Sequence, residues 1–532
     1  MAQELDQSAQ ASYEWQNTPL RLHKEEPYPN ITAVSGDANS AGSDGGRSTH
    51  VPMRMKLIAV LIVSLIGFGS HWSSGVTGAM KSTLKKELQI DNTQYSLLEA
   101  SEDFMKTALI LFMGILTDRF GGAGIMVWGN IIYSIGSIII AAATTVRSYR
   151  LMVGGMIVQA LGDISTQVAQ YRIFSSWFAP SDGFASTLGL ELAIGKLGSF
   201  VGTATANPIA KNTGNFCWVY WTAVFMNLLT NAFTILFWFF RKYCDITYSD
   251  GINDPATGEE LREKTKKFEW RKALQLPMAF WGFICFTAFQ TSMAVVFSQN
   301  ATELAEQRFD VDGTKAGWYT ASARYLGFFL VPLLGLFIDW YGHRLTVILV
   351  CGLLCFLAMC LAAFGPTVAG TAAAFGIYAF GFTLGPTAII DGIRTAIWYQ
   401  DTFGSAYAIK IAVNNSMSII IRIMTGVIQD QDNNSYNHVV IVYVILAAGA
   451  VVVGLALFIW SFITDDLRRL QWSRKKRQQN GDLINAQREA YEIGTKAGLN
   501  TRVGVAFSIM LIALILGGWA SYFWGVATDN NL

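Results

Sequence analysis

Charge is scarce in this sequence. Of its 532 residues only 14% are Asp, Glu, Lys or Arg, where a soluble domain carries roughly 25%. That scarcity excludes a string of soluble domains, although the length would allow several. Neither sign of charge prevails. The formal net charge is +1, which argues against nucleic acid or an acidic partner recognised by bulk charge. Cysteine is sparse and poorly spaced for pairing. Cys217, Cys244, Cys285, Cys351, Cys355 and Cys360 show no CxxC spacing and lie mostly in or beside apolar segments. They read as membrane-buried thiols, with no disulfide framework and no metal site. No Walker A, HExxH, GxSxG or GxGxxG pattern sits in a soluble context. The sequence therefore predicts no enzyme, no cofactor and no ATP-driven pump acting alone. Residues 1–50 hold no apolar core, so no cleavable signal peptide is expected.

What is abundant is apolar. Hydrophobic residues reach 52%, aromatics 13%, and the mean hydropathy is +0.34. A helix needs about 20 mostly apolar residues to cross a bilayer. Such runs predict spans 1 to 6 near 57–80, 95–117, 124–146, 150–175, 184–208 and 217–240. Spans 7 to 12 are predicted near 275–299, 314–339, 345–366, 370–397, 404–428 and 438–463, and a further run near 503–524 predicts span 13. The expected domains are a disordered cytosolic tail (1–55), an N-terminal six-helix bundle (56–240), a cytosolic linker (241–273), a C-terminal six-helix bundle (274–463), a charged cytosolic linker (464–502) and an extra transmembrane helix (503–525). Both linkers are rich in Lys and Arg, and an even number of spans separates them. The positive-inside rule puts both, and the N-terminus, in the cytosol. Sequons at Asn300 and Asn433 then fall in loops outside the cytosol, where glycosylation is expected; a third, at Asn30, falls in the tail.

The chain contains an internal repeat. Gly114, Asp118, Arg119 and Gly121 follow span 2, and Gly335, Asp339 and Gly342 follow span 8, so that Asp118 and Asp339 are 221 residues apart. The same offset maps Trp177 onto Trp398 and Gly183 onto Gly404. A shared offset at separate loops points to duplication of a six-helix unit. The repeated G-x-x-x-D-x-x-G resembles the loop signature of the major facilitator superfamily. Glycine permits close helix approach, and the aspartate can cap a neighbouring helix N-terminus. The resemblance implies two parallel six-helix halves rocking about a central site, in a monomeric transport unit.

Residues 72–105, 153–177 and 188–202 resemble more narrowly the lysosomal dipeptide uniporters of that superfamily. The likeness covers about residues 57–463 and is strongest in the first half. It implies a small peptide or amino-acid-like zwitterion as substrate, a vacuolar or lysosomal membrane, and a glycosylated single-span accessory subunit as partner. The plasma membrane stays open as an alternative, because neither tail has an acidic dileucine signal. In that family a span 4 acid and a span 5 arginine engage the peptide termini. The matching positions here are Asp163 and Lys196.

Ionisable residues inside spans are costly and ask for a reason. Glu99, Glu102, Asp103 and Lys106 follow i, i+3, i+4, i+7 spacing on one face of span 2. That face is expected to meet the central cavity, with Glu102 and Lys106 neutralising each other or with the acids carrying protons. Asp163 and Lys196 are expected either to pair until a zwitterion replaces each partner, or to form a fixed structural pair. Gln167, Glu191, Asn414 and His71 are candidate cavity residues. Arg324 and Arg422 suit an anionic group. Asp391 and Arg394 read as interfacial, and Gly385 with Pro386 as either a flexible point or a static kink. The reading is a secondary transporter of a small organic solute. The alternatives are a proton-coupled organic-anion carrier and a transceptor or trafficking protein with little flux.

Overall fold

Lipid offers no hydrogen bonds to the backbone, so each apolar run must satisfy its own N–H and C=O groups as a helix. The computed structural model describes residues 52–120, 122–248, 254–258, 261, 275–399, 402–493 and 495–528. The expected tail up to residue 51, Asn30, Gly121 and most of the 241–273 linker lie outside these. No β-strand occurs among the described residues. Twelve described helices are long and apolar enough to cross a membrane. Span 2, Asn92–Phe120, is equally long at 29 residues but carries the charges that set it apart. The fold is therefore two six-helix halves plus a thirteenth helix.

Span 1 is broken at Gly67 into Met53–Ile66 and Phe68–Ala79. Spans 3 to 6 are Gly122–Val146, Tyr149–Trp177, Phe184–Thr213 and Cys217–Thr247. The second half runs through Met278–Phe309, Gly313–Tyr341, Arg344–Phe364, Val368–Ala396, Phe403–Gln431 and Asn437–Trp460. The halves meet along two seams, span 5 against span 8 and span 2 against span 11. Span 13 is the end of the helix Thr495–Thr528 and lies against spans 2 and 11. Its Tyr522 stacks on Phe104 of span 2 at 4.8 Å. Span 13 thus covers one seam from the lipid side. The face from which both charged linkers leave is termed the linker face, and the opposite one the far face.

Span 7 corrects an expectation. It continues ten residues beyond the predicted end at 299, to Phe309. The added stretch NATELAEQRF is only partly apolar, but Ala, Glu, Leu and Gln are strong helix formers. Asn300 therefore sits inside a helix. It is buried, accepts a hydrogen bond from Lys81 at 2.8 Å and donates to Tyr443 at 2.9 Å. A buried, doubly bonded amide is no glycosylation acceptor. Asn433 is exposed in a turn with φ 52°.

Candidate functional site

The charges of span 2 divide between two partners. Lys106 Nζ lies 2.5 Å from Glu102 Oε1 and 2.6 Å from Asp163 Oδ2. One ammonium thus joins span 2 to span 4 within the first half. One turn on, Glu99 and Asp103 reach across the seam to span 11. Arg422 donates through Nε to Asp103 at 2.9 Å and through Nη1 to Glu99 at 3.1 Å. Gln299 of span 7 bonds both Glu99 and Arg422. Arg422 is thereby held between two carboxylates, not offered to a substrate anion.

The expected Asp163–Lys196 pair does not form. Lys106 occupies Asp163, and the Lys196 ammonium sits 3.6 Å from the ring centre of Phe382, a span 10 aromatic. A low-dielectric interior rewards the shortest ion pair, and span 2 supplies it. Lys196 instead faces a cavity of ≈ 410 Å³, measured with the solvent it opens to, together with Ser298, Arg324, Tyr378 and Phe382. Arg324, from span 8, donates to Ser199 O at 3.3 Å, to Ser298 Oγ at 3.1 Å and to Thr203 Oγ1. Two cations, one from each half, therefore line one pocket. No carboxylate lines it among the described residues.

His71 lies beside Glu191. Its Nε2 lies 4.0 Å from Glu191 Oε1, and its ring keeps 40% of its surface accessible beside a nearly buried Glu191. The ring lies within electrostatic range of Asp163, Lys196, Lys106 and Arg324. Tyr171 donates to Glu191 at 3.3 Å. Gln167 is half-buried on span 4. Asn414 accepts from Thr287 at 3.1 Å and is packed between spans 7 and 11.

Each face of the cavity is bridged. On the linker face, Asp339 accepts from the N–H groups of Ala185 at 3.3 Å and Ser186 at 2.8 Å, and from the Ser186 hydroxyl. A signature aspartate from the second half thus caps the first turn of span 5 in the first. Gly335 makes the approach feasible, since a Cβ there would lie 2.5 Å from Ala185 O. Gly342 ends span 8 at φ 75°, with Trp472 O 2.1 Å from where its Cβ would be. No other residue fits either demand. Gly114, Asp118 and Arg119 of the first copy lie late in the helix Asn92–Phe120. Nearby, Arg344 pairs with Asp391, both fully buried, and donates to Ser181 Oγ at 2.9 Å. Asp391 and the buried Arg394 are therefore interior, not interfacial. Both hang from the end of span 10, which the 464–493 segment covers.

The far face holds a bridge not foreseen from sequence. Lys81 is 2% exposed, with Nζ 2.8 Å from Glu303 Oε2, and Gln429 and Tyr436 complete its shell. Lys85 pairs with the same Glu303. Asp430 accepts from the N–H groups of Asn92 at 3.1 Å and Thr93 at 2.9 Å. It caps span 2 as Asp339 caps span 5. The missed signal was present as a lysine just past an apolar run and acids in helix-forming stretches taken for loops.

A family model described as Major Facilitator Superfamily matches residues 63–421. Among curated relatives, "Lysosomal dipeptide transporter MFSD1" of Homo sapiens is 31% identical over 150 residues, 27% of this chain and 31% of that protein. The Mus musculus protein of the same name is 30% identical over 168 residues, 31% of this chain and 34% of that protein. "Riboflavin transporter RibZ" of Clostridioides difficile is 22% identical over 174 residues, 33% of this chain and 36% of that protein. The chain thus aligns with about a third of the length of these relatives. The family model covers well over half of the chain, and the thirteen long helices accord with it: this protein belongs to the major facilitator superfamily and is a multi-pass membrane transporter.

Proposed function

We propose that the protein carries dipeptides or amino-acid-like zwitterions by uniport, through alternating access, across a vacuolar or lysosomal membrane with its linker face in the cytosol. The observation that carries this reading is the cavity shared by Lys196 and Arg324. Arg324 offers the planar fork that suits a carboxylate, which Lys196 lacks. A substrate ammonium would displace Lys106 from Asp163, and Lys106 would keep Glu102. The lysosomal dipeptide transporters similar to about a third of the chain support the substrate class. Rocking of the halves would break one face's bridges while the other's hold.

Dipeptide counterflow into proteoliposomes tests it. Lys196→Ala and Arg324→Ala are each expected to cut flux roughly tenfold or more, the worth of a charge-assisted hydrogen bond. Undiminished flux in both would remove the site from this cavity. A second reading, a proton-coupled organic-anion carrier, draws on the absence of a carboxylate among the described residues lining the pocket. Uptake of a monoanion that rises with a proton gradient, without dipeptide exchange, would favour it. Asn433 is proposed as the glycan acceptor. Asn433→Gln is expected to abolish the gel shift on endoglycosidase treatment, and a persisting shift would rule it out.

A further inference from the structure

Charge is only half of the character of the substrate cavity. Four aromatic rings, Phe297, Phe375, Tyr378 and Phe382, line it beside Lys196 and Arg324. Phe375, Tyr378 and Phe382 follow i, i+3, i+7 spacing and so share one face of span 10. The Phe382 ring stacks on Tyr378 at 5.4 Å and 9°. Tyr378 meets Phe297 of span 7 at 4.7 Å, and Phe297 meets Phe375 at 5.8 Å. The Tyr378 hydroxyl donates to Ala294 O at 2.7 Å, which fixes that ring. An aromatic wall and two cations therefore share one cavity.

Lys196 is held without a counter-ion. Its ammonium lies over the Phe382 ring at 3.6 Å, and no carboxylate pairs with it among the described residues. Its stem rests on Gly327 of span 8, where a Cβ would lie 3.2 Å from Lys196 Cγ. Lys196 belongs to the first half, Gly327 and Phe382 to the second. An ammonium drawn out of water is costly, and a ring face compensates it only in part. A carboxylate, through a charge-assisted hydrogen bond, is the stronger partner. A substrate carboxylate would thus draw the ammonium off the ring and leave the ring face open. In an α-amino acid the carboxylate and the side chain branch from the same Cα. A terminal carboxylate taken by Lys196 therefore brings the C-terminal side chain against the aromatic wall.

We propose that Phe382 determines the specificity of this site. Its ring holds Lys196 in the empty carrier and packs the substrate's C-terminal side chain once the carboxylate has taken that ammonium. The site then selects dipeptides with an apolar, above all aromatic, C-terminal residue. It disfavours those ending in Lys or Arg, because no carboxylate among the described lining residues receives a further cation. The inference rests on the dipeptide reading proposed above.

The test measures counterflow of alanyl-alanine, alanyl-phenylalanine and alanyl-lysine by the full-length protein in proteoliposomes. In the wild type, alanyl-phenylalanine is expected to half-saturate at roughly a tenth of the alanyl-alanine concentration, and alanyl-lysine to be the weakest of the three. Phe382→Leu keeps the wall apolar and removes the ring. It is expected to shrink the advantage of alanyl-phenylalanine roughly fivefold, while alanyl-alanine binds as well or better because Lys196 no longer leaves a ring. A merely structural defect would weaken both alike. The wild-type ranking needs no variant, so it decides even where Phe382→Leu is poorly recovered. Exchange of no dipeptide at all sinks the reading above and this inference with it. Alanyl-phenylalanine no better than alanyl-alanine, alanyl-lysine as good as alanyl-alanine, or an equal loss for both neutral dipeptides in Phe382→Leu overturns this inference alone.

Discussion

Arg422→Ala is expected to be the most damaging single change in this protein. Removing one partner of a buried, hydrogen-bonded ion cluster costs about 3–5 kcal/mol, because the remaining charges stay in low dielectric uncompensated. Here Glu99 and Asp103 would both lose their cation, and they lie only one helical turn apart on span 2. The seam between spans 2 and 11 would have to separate, admit water or take up protons. Folded protein recovered from membranes should fall steeply, with a melting temperature well below wild type. The triple variant Arg422→Leu, Glu99→Gln, Asp103→Asn should recover most of that stability, since replacing a whole buried cluster by neutral groups is often nearly neutral. A single Arg422→Ala variant with wild-type melting temperature and flux would show that the cluster is hydrated, and the buried-charge argument would fail.

The second large effect concerns the two gates, and its signature is opposite sign. Glu303→Gln leaves Lys81 buried with only neutral partners when the far face is closed. In the open state that ammonium meets water, so the penalty falls on the closed state alone. A loss of about 3 kcal/mol moves the equilibrium toward far-face opening by roughly a hundredfold. Asp339→Asn weakens the cap on span 5 and the charge at its N-terminus. A cap is worth about 1–2 kcal/mol, so opening of the linker face should rise by roughly five- to thirtyfold. Thiol-reagent access to single cysteines placed on each face reads both. If the two variants shift access in the same direction, the gates are not arranged as the contacts indicate.

Much of this was legible before any coordinates. The apolar runs located every span to within a few residues at most ends. The 221-residue offset between Asp118 and Asp339 exposed the duplication, and the physics of glycine and aspartate beside helix ends anticipated the cap on span 5. The i, i+4 pair of Glu102 and Lys106 follows from one helix alone. Span 7 was drawn too short, since apolarity marks lipid contact and not helix extent. With that error went the Asn300 sequon and the gate residue Glu303. Lys81 and Asp430 were passed over because each looks, in sequence, like an ordinary polar residue near a membrane boundary.

What the sequence by itself determined is the class of solvent this chain meets, the number and approximate place of its membrane spans and which positions bear charge inside them. These follow from composition and periodicity along one strand of chain. Partnership is different. Lys106 took Asp163 from Lys196, and Arg422 took Glu99 and Asp103, because Coulomb energy in a low-dielectric interior depends on through-space distance. Helices whose paired residues lie from 57 to 323 positions apart in the chain set those distances. Only the packing of span 2 against spans 4 and 11, and of span 5 against span 8, decides which charges cancel and which are left facing a cavity.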